Sequence, residues 1–450
     1  MTKAAEWIED FRSLSKSAFD TLKSEEALGI SLESESQDYV RFNKGKTRQT
    51  THVEQQRVTL DFRCEERRLV LTFDRNGNLD DDRIAMNRMI GRAREECLAL
   101  PEDPYLSNFE NHGVSEDIYS GTLPSAGRVS AKVFDSSKDM DLAGLYAGGI
   151  QIRANATSAG TFHAFSSESF SLDYSLYTVN ADGENKAVKG LHAGNHFDES
   201  AWRRSLDDSH LQLSTLKRRN KSIPKGHYRV YLAPHAVETL AGILSWGALS
   251  HGAYRRGESA LELLAKGDKS LSPLFSLREN FGLGLSPRFN ASGVMSPATV
   301  PLIENGKLKT FLINDRTARE HGLKANGATS SEGMRSAEIA TGTLETSDVL
   351  ARLDTGLYLG NLHYLNWSER KTARLTGMTR YACFWVENGE LIAPIRDLRF
   401  DESLYRIFGS ELESVGKESV RLPETASYEA RSLGGCQVPG LLLRDFHFTL

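Results

Sequence analysis

Twelve histidines and four cysteines are the side chains of this 450-residue chain best suited to hold a metal or attack a carbonyl. His192 and His196 have the four-residue spacing with which two imidazoles on one helical face grip zinc. Gly190 and Gly194 disfavour a helix there, and neither a cysteine nor a third histidine lies near, so the pair reads as part of a polar loop. His235, behind Pro234, opens an apolar run that includes Glu238. One imidazole alone binds zinc weakly, and Glu238 is turned roughly 300° around a helix from it, so His235 reads as a hydrogen-bonded residue at a helix start. His251 would lie about 24 Å further along a continuous helix, too far to share a metal with His235. Cys64, Cys97, Cys383 and Cys436 are widely spaced and form no Cys-x-x-Cys pair, as expected of reduced thiols. Cys383 lies inside an apolar run and reads as core; Cys436, in Gly434-Gly435-Cys436-Gln437-Val438-Pro439-Gly440, reads as structural. Ser292 and Ser331 lack the Gly-x-Ser-x-Gly elbow of a hydrolase nucleophile, and Gly327–Gly333 lacks the Lys-Ser/Thr of a phosphate loop. Both stretches read as flexible surface loops. His235 and Cys436 remain as weak metal candidates, and no catalytic residue is assigned.

The elements that must position these residues follow from periodicity and turn residues. Trp7, Ile8, Phe11, Leu14, Ala18, Phe19 and Leu22 predict an amphipathic helix over residues 5–27. Residues 29–42, 56–63 and 68–73 read as strands around the turns Asn43-Lys44-Gly45 and Asp74–Asn78. A helix is expected over 80–100, a surface connection over 102–125 and a helix over 136–146. Strands are expected at 149–156, 161–170 and 172–179, then a turn at Asn180–Gly183 and a helix at 203–219. A basic loop over 220–226 leads to a strand at His227–Leu232, and Pro234 starts an apolar helix reaching Ser250.

The second half carries two matching turn signals. Ala298–Ile303 meets Glu304-Asn305-Gly306-Lys307 and then Leu308–Ile313; Tyr381–Val386 meets Glu387-Asn388-Gly389-Glu390 and then Leu391-Ile392. Asn-Gly between strand-like runs marks a β-hairpin. Together with Tyr39-Val40-Arg41-Phe42-Asn43-Lys44-Gly45, this ordered set resembles the TldD/PmbA family, which pairs a zinc metallopeptidase subunit, TldD, with a metal-free partner, TldE or PmbA. The resemblance implies His-Glu-x-x-x-His on the helix that corresponds to the one beginning at Pro234, and a C-terminal cysteine as a further ligand, in the peptidase subunit. Here Ala236 follows His235, Leu240 stands where a second ligand would lie, and no His-Glu pair occurs anywhere. Cys436 sits in a segment similar to that of the ligand cysteine but lacks its partners.

Length and composition set the frame. A single core stops growing near roughly 250–300 residues, so two domains are expected: an N-terminal mixed α/β domain over 1–222 and a β-rich, barrel-like domain over 223–450, an α+β fold. A net charge of −5 argues against nucleic-acid or anionic-membrane binding driven by bulk charge. The basic groups at Lys217, Arg218, Arg219, Lys221 and Lys225, and at Arg370, Lys371 and Arg374, read as solvated faces. No apolar run approaches membrane-spanning length, and a cytoplasmic protein is expected. The reading is a non-catalytic TldE/PmbA-like subunit, with zinc in a TldD-like partner and an extended or unfolded peptide as substrate. The alternatives are a stand-alone hydrolase with an unrecognised site and a metal-free homo-oligomeric binding protein.

Overall fold

The computed structural model describes residues 2–449 and arranges them around two β-sheets that share no strand. In chain order the first half comprises α1 (Lys3–Phe19), β1 (Glu26–Asn43), β2 (Lys46–Cys64), β3 (Arg67–Asp74), α2 (Leu79–Cys97), β4 (Val114–Tyr119), α3 (Ala126–Ser136), β5 (Asp141–Thr157), β6 (Phe162–Val179), β7 (Asn185–Gly194) and α4 (Glu199–Leu216). Its strands are ordered β3-β2-β1-β5-β6-β4, with β7 also paired to β6. Trp7, Phe11 and Leu14 of α1 and Met86 and Ile90 of α2 pack on Leu28, Ile30, Leu32, Val58, Leu60 and Phe62. These alternate along β1 and β2, so the intervening residues point to the opposite face. That face carries Glu35 and Gln37, both buried.

Several expectations give way here. α1 stops at Phe19, because the chain must turn to enter β1 at Glu26. The helix expected over 136–146 is instead α3 at Ala126–Ser136, whose Val129 and Val133 are its buried side, and β5 has begun by Asp141. Gly149 explains why β5 tolerates glycine: a Cβ there would meet Ser36 O on β1 at 2.0 Å. The connection over 102–125 contains β4, a strand parallel to β6, and the two strands expected over 161–179 are one.

The second half comprises β8 (Gly226–Leu232), α5 (Pro234–Ile243), α6 (His251–Arg255), α7 (Glu262–Lys266), β9 (Leu277–Asn280), β10 (Thr299–Glu304), β11 (Lys307–Leu308), α8 (Asp315–His321), β12 (Ser336–Ile339), α9 (Val349–Leu353), β13 (Gly356–Glu369), β14 (Arg374–Glu387), β15 (Glu390–Pro394), β16 (Arg399–Ser403), β17 (Leu412–Pro423) and β18 (Gly435–Phe448). β8, β13, β14, β16 and β18 pair in sequence, and β18 pairs back to β8, which closes a ring. The barrel-like, α+β expectation therefore holds. Val230, Leu232, Leu357, Leu359, Phe400, Leu441, Leu443 and Phe446 fill its core together with Val237 and Leu240 of α5. Both Asn-Gly turns form as expected: Asn305 and Gly306 have φ of 49° and 76°, Asn388 and Gly389 52° and 76°, the left-handed pair a tight hairpin needs. Among the described residues no helix is long and apolar enough to cross a membrane.

Candidate functional site

Pro234 takes the first position of α5, where its missing N–H costs nothing. Ala236, Val237, Leu240, Ala241 and Ile243 are buried. The helix ends at Ile243, seven residues short of the expected Ser250, because Trp246 (ψ 75°) and Gly247 (φ 81°) leave helical space. His251 therefore opens a separate helix, and the continuous rise expected between it and His235 does not exist. Its buried Nδ1 has no partner, and its ring packs beside Tyr254, Phe311 and His321.

His235 is partly exposed, with Nδ1 3.4 Å from Glu238 Oε2, one turn along the helix. Cys436, second in β18, is 5% exposed and lies opposite Ala337 of β12 and Leu422 of β17. Burial pushes its thiol up, and the carboxylates of Glu238 and Glu424 push it further the same way. The fold thus brings the Glu238 side of α5 toward Cys436. The thiolate is the form that binds metal, and this environment disfavours it. Among the described residues no three of His, Cys, Asp and Glu stand close enough to hold a metal ion. A lone imidazole beside a carboxylate, with a thiol held protonated, does not fit a zinc site.

Other candidates take different places from those expected. His192 is in β7, packed among Phe170, Phe197 and Trp202, and burial pushes it down to about 4. A core imidazole replaces the expected polar loop. Cys383 is core as expected, and burial pushes its thiol up to about 11. The loop 327–333 is an anchor: Glu332, 2% exposed, accepts from Ser250 Oγ (2.6 Å), Gly252 N (2.8 Å) and Asn314 N (2.9 Å). Ser292 is half-buried, 3.4 Å from Arg63 Nη2.

The larger feature lies between the two sheets, and the sequence reading missed it. The connection from β17 to β18, residues 424–434, leaves the barrel through a closed base, with Pro423 opposite Gly435 and Glu424 N donating to Gly434 O (2.9 Å). It then lies as a strap on the polar face of the first sheet. Glu35 Oε2 accepts from Arg431 N (2.9 Å), Gln55 Nε2 donates to Glu429 O (2.8 Å) and Gln151 Nε2 to Arg431 O (2.5 Å). Arg431 Nη1 donates to Ser169 O (2.7 Å) and Gln37 Oε1 (3.3 Å). Desolvation pushes this guanidinium down to about 10, so it stays charged at neutral pH. The signal in the sequence is faint: Leu28, Ile30 and Leu32 alternate with Gly29, Ser31 and Glu33 before the polar run Ser34–Asp38.

Three neighbouring cavities with shared lining residues lie along the Arg431 end of the strap. One of about 80 Å³ holds Arg421 and Arg431; one of about 240 Å³ holds Glu33, Arg57 and Arg153; one of about 480 Å³ holds Leu32, Ala154, Pro287, Phe289 and Leu433. Ser432 lines all three. Chemically the crevice offers hydrogen-bonding backbone, paired charges and one apolar chamber.

The profile of a family described as "PmbA/TldA metallopeptidase C-terminal domain" matches residues 225–450. Among solved structures, TldE from Thermococcus kodakarensis is 13% identical with a TM-score of 0.78, over 98% of this chain and 100% of that one. A protein from Thermotoga maritima described as a candidate modulator of DNA gyrase is 16% identical with a TM-score of 0.78, over 98% and 100%. Another so described, from Bacteroides thetaiotaomicron, is 15% identical with a TM-score of 0.75, over 98% of both chains. These likenesses establish a shared fold. No curated protein matches the sequence.

Proposed function

The chain belongs to the PmbA/TldD metallopeptidase family, and from that premise we propose that it is a non-catalytic, TldE/PmbA-like subunit. It completes a peptidase by pairing with a zinc-bearing TldD-like chain in the cytoplasm. The observation that carries this reading is the donor set at α5: His235 without a second imidazole, and Cys436 held as a thiol between Glu238 and Glu424. Hydrolysis by a zinc-bound water needs three protein ligands and an open position, and this site cannot supply them. The substrate is an extended or unfolded peptide. The crevice beside the strap supports that class, because a peptide without secondary structure needs hydrogen-bonding walls and a place for an apolar side chain.

The test is zinc content and peptide hydrolysis of the purified chain, alone and mixed with a TldD-like chain from the same organism. The reading expects no stoichiometric zinc and no cleavage from this chain alone, and cleavage from the mixture. Stoichiometric zinc with cleavage by the chain alone would overturn it in favour of a stand-alone hydrolase. Peptide binding with no cleavage in either sample would favour a metal-free binding protein.

A further inference from the structure

Of the three cavities, the smallest carries an excess of positive charge: two guanidinium groups, Arg421 and Arg431, and one carboxylate, Glu424, line it. Arg431 is 3% exposed; its Nη1 is occupied by Ser169 O and Gln37 Oε1, whereas its enclosed Nε has no partner. Arg421, on the same wall, makes no ion pair among the described residues. Glu424 turns its Oε1 to the backbone, accepting from Thr425 N (2.9 Å) and Ala426 N (3.1 Å), and Glu35, outside the cavity lining, accepts from Arg431 N and Gln55 Nε2, so one carboxylate faces two guanidinium groups. A buried N–H without an acceptor is costly, and two guanidinium groups at one cavity of about 80 Å³ fit a small planar anion. Ser432 and Leu433 line both this cavity and the largest of the three, whose Leu32, Pro287 and Phe289 suit an apolar side chain.

We propose that this cavity is a carboxylate site. It holds the free carboxylate of a bound peptide between Arg421 and Arg431, with an apolar side chain of that peptide in the adjoining chamber. The proposal rests on the peptide-handling role above and names the substrate feature that this subunit reads. The carboxylate has two sources, the chain end or an acidic side chain. Arg421 is exposed, so replacing it leaves the packing intact, whereas Arg431 also holds the strap.

The test is fluorescence anisotropy of the full chain with three alanine-rich decapeptides, each carrying fluorescein at its N-terminus. One ends in Leu with a free acid, one is its C-terminal amide, and one is that amide with Glu as its penultimate residue. A charge-assisted pair is worth roughly a tenfold or greater preference, so the free acid is expected to bind about tenfold tighter than the plain amide. Arg421→Gln is expected to remove most of that preference. Tight binding of the Glu-containing amide assigns the carboxylate to a side chain; weak binding assigns it to the chain end. Acid and amide binding within twofold of each other, or a preference that survives Arg421→Gln, overturns the site. Binding of none of the three peptides also overturns it. If acid and amide bind alike while the mixture with the TldD-like chain still cleaves peptides, only the carboxylate site falls. If the preference holds and the mixture is inert, the subunit reading falls and the site stands.

Discussion

Thiol reactivity separates a structural Cys436 from a metal-binding one. A free cysteine of ordinary acidity is about 10% thiolate at pH 7.5. A thiol pushed to about 11, as at Cys383, is about 300-fold less ionised there, before access is considered. Cys436 is moved in the same direction, and burial hinders the reagent as well. Cys97 is buried too, which leaves Cys64 as the one half-buried thiol. Cys64 is itself pushed up by burial and by Glu65, so in the folded chain a colorimetric disulfide reagent at pH 7.5 is expected to give one thiol of the four that reacts ahead of the others, though more slowly than a free cysteine, with the rest appearing only in guanidinium. Adding an equivalent of zinc is expected to leave the trace unchanged. Cys436→Ala keeps the same first-reacting thiol and costs about 1–2 kcal/mol, since it trims one small buried group. A second early-reacting thiol that disappears in Cys436→Ala, or one that zinc protects, would refute the reasoning and restore Cys436 as a ligand.

Other outcomes follow from buried polar groups. His192 is held near 4 by its aromatic surroundings, with Asp198 and His196 nearby, so between about pH 6.5 and 4 the unfolded chain takes up a proton that the folded chain refuses. Its contribution is present above pH 6.5 and lost as pH falls, by up to about 1.4 kcal/mol per pH unit; His192→Phe should flatten that part of a plot of urea midpoint against pH. Glu332→Ala strands donors from Ser250, Gly252 and Asn314 and should cost about 3–5 kcal/mol in urea unfolding; a loss under about 1 kcal/mol would contradict the anchoring role. Gln151→Ala releases one tie on the strap, and chymotrypsin should then cut sooner after Tyr428, which is 89% exposed. Mass spectrometry of the fragments checks this.

The hairpins at Asn305-Gly306 and Asn388-Gly389 were legible because a two-residue turn states its own geometry, and the start of α5 was legible from Pro234. The absent His-Glu pair needed no structure. What escaped is set by tertiary context. β5 begins Asp-Leu-Ala-Gly-Leu-Tyr, which carries helix-forming residues, and only pairing with β1 and β6 makes it a strand. His192 looked polar because nothing local announces that Phe170, Phe197 and Trp202 will surround it. The early stop of α5 rests on Trp246 and Gly247, and one glycine in an apolar run is a weak stop signal. The strap was invisible for a further reason: its partners Glu35, Gln37, Gln55 and Gln151 lie hundreds of residues away.

That separation matters on the ribosome. The strands of the first sheet come from residues 26–194, but the segment that covers its polar face is made only at residues 424–434, and β8 waits for β18 before the barrel can close. Through most of synthesis the early sheet must keep one face wet, and side chains such as Glu35, Gln37 and Gln151 let it do so without inviting aggregation. The polarity that later holds the strap thus also serves the nascent chain as an interim surface. A chain truncated before Glu424 should fold its first sheet, remain soluble, and expose that face to hydrogen exchange.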